Sequence, residues 1–173
     1  AALVASALTA NAGAATLQQV RVGGVIFSST ANYSHDGSGT DDFYSFTVPG
    51  NTLNVDGDSI EFYVAGTIPA SLGNKQVAIV FGSTTIFDTG TLSTTSGADW
   101  FIHGAIVKSG TNTAKAIVVW TSDNTTLSVD ADNVAVSETL TGNLTLKVTA
   151  TATVAGAITG ELMKASWQPA APA

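Results

Sequence analysis

Cysteine is absent from this 173-residue chain, which removes disulfides, thiolate metal sites and cysteine nucleophiles together. Charge is scarce as well. Acidic and basic residues make up 11% of the sequence, against about 25% in ordinary globular domains. Basic charge is the scarcer kind: six lysines and arginines face thirteen acidic residues, for a formal net charge of −7. Arg21, Lys75, Lys108, Lys115, Lys147 and Lys164 are scattered and form no cluster. Nucleic acid needs a basic stripe to neutralise phosphates, so it is excluded as a partner. An anionic membrane surface is excluded for the same reason, and no apolar run is long enough to span a bilayer. Histidine occurs only at His35 and His103. A Gly-x-Ser-x-Gly elbow, a phosphate loop and a dinucleotide fingerprint are all missing.

The apolar fraction, in contrast, is 45% and mean hydropathy is positive, which rules out disorder. A single domain of this length buries roughly 70% of its unfolded surface and needs no staple. The opening "AALVASALTANAGAATLQQV" is small and weakly apolar, interrupted at Asn11, Gly13 and Thr16. It lacks the basic region of a signal peptide and an initiator Met, and reads as a processed or trimmed start. Residues 1–28 are expected to be an arm, either weakly helical or an attachment segment that orders on a partner. Residues 29–173 are expected to form the domain.

Strands dominate the rest. Ser59 to Gly66 alternates Ile60, Phe62 and Val64 with Glu61, Tyr63 and Ala65, the period-two pattern of a strand with distinct faces. Asn143 to Val154 alternates Leu144, Leu146, Val148, Ala150, Ala152 and Val154 (inward) with Thr and Lys (outward). Lys75 to Phe81, Asp99 to Gly110, Lys115 to Trp120 and Glu161 to Gln168 are further strands, separated by turns such as "VPGN", "VDGD", "SLGN" and "SGTN". Many short strands with Gly-rich turns and no helical period predict an all-β, antiparallel two-sheet sandwich, with about eight main strands between Tyr44 and Gln168. "VAIVF" and "AIVVW" are apolar on both faces, whereas an antiparallel sheet in a monomer usually keeps one face wet. Either Thr, Ser and Asn replace charge on the surface, or surface is hidden between subunits. The two-faced strands favour an oligomer.

Sites for chemistry are few. Asp88-Thr89-Gly90 has the letters of an aspartic-protease triplet, but that catalysis needs two carboxylates sharing a proton, and the chain holds one copy. Asp88 is expected to cap a turn in which Gly90 takes the positive φ. "NVDGDS" (54–59) and "HDGSGTDD" (35–42) gather oxygen ligands without the spacing of a calcium loop; they read as a hairpin turn and a solvated loop. His103, inside an apolar strand, reads as a hydrogen-bonded structural imidazole. No catalytic residue, cofactor-binding motif or metal site is expected. Tyr33 and Tyr44 flank the most polar loop and are the candidates for stacking against a sugar. Trp120 and Trp167 are candidate core or interface anchors.

The order of motifs carries more. "NTLNVDGDSIEFYVAGTI" (51–68) runs into "GNKQVAIVFGSTTIFDTG" (73–90), then "ADWFIHGAIVKSGTNTAKAIVVW" (98–120), "SETLTGNLTLKVTATAT" (137–153) and "ELMKASWQP" (161–169). This succession resembles the jelly-roll domains of tailed-bacteriophage virion proteins, found in head fibres, capsid decorations and tail fibres. It covers Tyr44 to Pro169. The resemblance implies a jelly roll, a homotrimer and a non-enzymatic part at the particle surface, attached to other virion proteins through the arm. It implies that "FGSTTIFDTG" is a structural strand-turn. A tail-fibre tip that binds a host-surface glycan is the alternative.

Overall fold

A computed structural model describes residues 22–70, 73–93, 97–123 and 130–171, and among them there are strands and no helix. The expected arm therefore lies mostly outside the described residues. The strands are β1 (Gly24–Ser29), β2 (Tyr33–Ser34), β3 (Gly39–Val48), β4 (Ser59–Ile68), β5 (Lys75–Phe81), β6 (Thr84–Asp88), β7 (Ala98–Gly110), β8 (Thr113–Ser122), β9 (Asp130–Ser137), β10 (Leu144–Ala152) and β11 (Thr159–Gln168). The larger sheet runs β1-β11-β4-β7-β8-β9, with β2 continuing beside β11, and the smaller runs β3-β10-β5-β6. Every pairing is antiparallel.

The connectivity is that of a jelly roll. The chain crosses between sheets from β2 to β3, β3 to β4, β4 to β5, β6 to β7, β9 to β10 and β10 to β11. The set β1-β11-β4-β7 thus faces β3-β10-β5-β6, four strands against four, and β8 and β9 extend the larger sheet as a meander. Two expected boundaries change. The sandwich starts at Gly24, so residues 24–28 belong to a paired strand and not to an arm. It also contains β1, β2 and β3, which begin before Tyr44. β1 hides from a period-two search because its register shifts between Val25 and Phe27.

Period-two alternation does the rest. In β4 each of Ile60, Phe62, Val64 and Ile68 is fully buried, while its neighbours are half-covered. The same inward rows come from Val77, Ile79 and Phe81 of β5, Ile102 and Ile106 of β7, and Leu146, Val148 and Ala150 of β10. Burying each of these large side chains contributes about 1.5–3 kcal/mol. In β10 the inward assignment holds through Ala152, but Val154 lies beyond the strand end and is exposed. Trp100 and Trp120 stack at 5.3 Å, with Phe87 from the smaller sheet 6.4 Å from Trp120. Trp120 is therefore a core residue, 2% exposed, and not an interface anchor. It faces inward because Ala116, Val118 and Trp120 share one face of β8.

Gly104 pairs with Phe62 across β4 and β7. A Cβ there would lie 2.2 Å from the Phe62 ring, so the absence of a side chain makes room for the ring. Gly104→Ala should lower stability by about 1–3 kcal/mol through overpacking, read as an earlier urea midpoint with unchanged slope. An unaltered midpoint would mean that Phe62 has space to move.

Candidate functional site

Beside Tyr33 lies a cleft of about 190 Å³ lined by Asn32, Tyr33, Ser34, Thr67, Thr159 and Glu161. Tyr33 stands at its side, 42% exposed, and meets Tyr44 edge to face at 5.0 Å and 84°. Tyr44 does not line the cleft. It is 2% exposed and its hydroxyl donates to the Ala31 carbonyl at 2.9 Å. Burial, followed by the nearby Tyr33 and Glu161, pushes its pKa up to about 12, so it stays a donor. The expected pair of sugar contacts is thereby corrected to one platform and one buried support. Phe43 and Tyr44 are both buried because β3 is irregular where it passes Val148 and Thr149 of β10, and alternation fails there.

A second irregularity shapes the opposite wall. Between Gly160 and Leu162 the register of β11 against β4 shifts, leaving Glu161 without a partner residue on β4. Glu161 and Leu162 are consecutive and both exposed, as a β-bulge permits. The hydroxyls of Thr67 and Thr159 hydrogen-bond to each other between these walls.

Trp167 is half-buried. It walls a groove of about 380 Å³ with Ile26 and the turn Pro49–Thr52.

The outer face of the larger sheet is apolar at its centre. Phe101 and Val107 of β7, Ile117 of β8 and Leu162 of β11 are 40%, 37%, 55% and 38% exposed. Phe101 tilts against Tyr63 at 6.0 Å, and Tyr63 stacks on His103, parallel within 4° at 4.5 Å; Lys164 and Lys115 stand opposite Tyr63 and Val107 in the register. His103 is thus exposed on the outer face, contrary to the expectation of a hydrogen-bonded imidazole inside. Strand alternation puts it there, since Ile102 and Gly104 point inward.

The other histidine is the buried one. His35 is 1% exposed. Its Nε2 lies 3.0 Å from the Gly39 carbonyl, 3.2 Å from the Ala152 N–H and 3.6 Å from the Asp41 carboxylate. The segment 35–42 is therefore pinned at its start to the end of β10 and is not simply a solvated loop. In the segment 54–59, Asp58 is fully buried and its carboxylate accepts from the N–H groups of Asn54, Val55 and Ala170 at 2.7–2.9 Å. It closes a turn and ties down the C-terminal segment. No group of three or more metal-ligating side chains gathers among the described residues.

Asp88 ends β6 and accepts from the Gly90 N–H at 2.7 Å, with Gly90 at φ 62°. Both its oxygens also accept from the Gln76 amide, at 2.6 and 2.7 Å. Thr89 accepts from the Val77 N–H at 3.0 Å. Each of the three residues is spent on the turn. At the tip of the β5–β6 hairpin, Glu138 reaches across from the end of β9. Its carboxylate accepts from the Ser83 N–H at 2.7 Å, the Ser83 hydroxyl at 2.8 Å and the Thr84 hydroxyl at 2.9 Å.

No protein-family model matches the sequence, and no curated protein is significantly similar to it.

Two stability predictions follow from these turns. Desolvation raises the Glu138 pKa, but the hydrogen bonds from Ser83 and Thr84 outweigh it and hold the carboxyl below its ordinary 4.5. A depressed folded-state pKa stabilises above the unfolded value and loses that contribution as pH falls through the folded one. Glu138→Gln should cost on the order of 1 kcal/mol at pH 7. In urea melts the gap to the wild type should narrow below pH 4.5; a constant gap would contradict the assignment. Asp88→Asn should shift stability by about 1 kcal/mol or less, the scale of one cap. A measurable peptidase activity lost in that variant would overturn the turn assignment.

Proposed function

We propose that this chain is a non-enzymatic structural protein of a phage virion, a homotrimeric surface component of the capsid-decoration or head-fibre type. The observation that carries the reading is the outer face of the larger sheet. Four large apolar side chains on the face of the Tyr63–His103 stack would otherwise stand in water, at about 25 cal/mol lost per Å² of apolar area left uncovered. Soluble monomers rarely tolerate contiguous patches of this kind. A second copy of the chain is the occupant favoured here, because lysines and a carboxylate are set among these side chains (Lys164 opposite Tyr63, Lys115 opposite Val107, Glu61 opposite Ala105), opposite in sign and able to pair across copies. The motif order described above supports the virion assignment and the number three. Its segments fall on β4, on β5 and β6, on β7 and β8, on β10 and on β11 of a jelly roll.

The test is mass in solution. Multi-angle light scattering at micromolar concentration should give three times the 17.5 kDa of one chain. Ile117→Asp should shift it towards one chain while the circular dichroism spectrum stays that of a β protein. A monomeric wild type would overturn the assembly, and a dimer would overturn the number three. Immunogold labelling of the particle surface checks the location; unlabelled particles would overturn it.

A further inference from the structure

We propose that the cleft between β2 and the bulge of β11 binds one neutral sugar ring, stacked on Tyr33 and hydrogen-bonded by Glu161 and Asn32. Four features of the cleft converge on this class of ligand. The first is an aromatic face that is held in place. Tyr33 leans on Tyr44, whose hydroxyl bond to the Ala31 carbonyl anchors the loop carrying Asn32 and Tyr33. Opposite Tyr33 in the register stands Gly160, where a Cβ would come within 2.9 Å of Phe43 and 3.0 Å of Tyr44. The bare glycine lets those two rings pass beneath, so the platform has a packed foundation. A half-exposed ring on a rigid base suits the apolar face of a pyranose.

The second feature is the bulge. A regular β11 would send Leu162 inward after Glu161. The register shift turns both outward, so the carboxylate lies beside the Thr67–Thr159 pair while Leu162 joins the apolar face. Bulges re-aim side chains next to binding sites in this manner. The third is uncommitted polar capacity. Among the described residues, the Glu161 carboxylate, the Asn32 amide and the Tyr33 hydroxyl make no hydrogen bond or ion pair. Together they offer two acceptor oxygens and a mixed donor–acceptor amide, the set that ring hydroxyls satisfy.

The fourth is charge and size. Among the described residues no cationic side chain lines the cleft, so a sialylated or phosphorylated sugar would meet the Glu161 carboxylate unfavourably. The 190 Å³ of room is below the roughly 300 Å³ of sites that enclose drug-sized ligands, which points to a single ring and not a chain. Glycoside cleavage needs two carboxylates flanking the bond, and among the described residues Glu161 is the one carboxylate lining the cleft, so the proposal is one of binding.

Saturation-transfer difference NMR on the full chain, with glucose, galactose, mannose and N-acetylglucosamine each at millimolar concentration, tests this. At least one sugar should receive saturation. Glu161→Gln should weaken the signal several-fold and Tyr33→Ala at least tenfold, with Tyr33→Phe retaining most of it. Glu161 makes no internal hydrogen bond, so its variant remains informative even if Tyr33→Ala unfolds. No transfer to any of the four sugars would overturn the proposal, as would a signal indifferent to Glu161→Gln. Binding of methylguanidinium in their place, which a tyrosine face and a carboxylate also attract, would overturn it too. The proposal stands apart from the assembly: a monomer that bound sugar would refute the trimer and leave the cleft intact.

Discussion

The two strands nearest the C-terminus hold the centre of both sheets. β10 lies between β3 and β5, and β11 lies between β1 and β4, so neither sheet is continuous until the last segment of the chain is in place. Each of the two strands satisfies backbone groups on both of its sides, and each carries inward residues (Leu146, Val148 and Ala150; Met163 and Ala165) into the common core. β3 and β4 find β10 and β11 about a hundred residues away. Such pairings are entropically costly to close and slow to form. The dense inner rows of Ile, Phe, Val and Trp are what offset that cost.

Much of this fold is legible in the residues. The alternation of Ile60, Phe62 and Val64 against Glu61, Tyr63 and Ala65 places β4 correctly, and the Leu/Val/Ala and Thr/Lys alternation does the same for β10. The turn at Asp88 and Gly90 is legible too, because both residues do in the structure what their chemistry favours in isolation. What alternation does not reveal are the places where it breaks. Register shifts near Ile26, Phe43 and Glu161 hide β1, bury Tyr44 and expose Glu161 beside Leu162. Alternation does not mark the cleft for this reason: one wall comes from a two-residue strand and the other from a bulge. Trp120, open between core and interface in the sequence, and His103 meet a simpler ambiguity. In a strand apolar on both sides, composition does not say which row faces the core.

The outer surface divides accordingly. Its apolar centre belongs to long, regular strands, where Phe101 and Val107 of β7 and Ile117 and Val119 of β8 fall on the outward rows. The polar cleft belongs to the irregular margin around β2 and the start of β11. The proposed contact between copies and the proposed sugar cleft thus use different parts of the same sheet, meeting at Glu161 and Leu162 in the bulge of β11. The low overall charge suits both, since neither a dry contact nor a hydroxyl-lined cleft depends on ion pairs.

The free margins of the two sheets lie against one another in pairs. β6 and β9 lie against each other, bridged by the Glu138 carboxylate, and β1 and β3 are joined by Phe27 stacked flat on Phe46 at 4.5 Å. A strand margin that is tethered across the sandwich is a poor template for a foreign strand, because an incoming chain must displace the tether before it reaches the unpaired N–H and C=O groups. A sequence this rich in Val, Ile and Thr would otherwise be a candidate for cross-β growth. With the margins closed, stickiness is confined to a face, and contacts through a face can close into a finite ring where contacts through margins extend without limit.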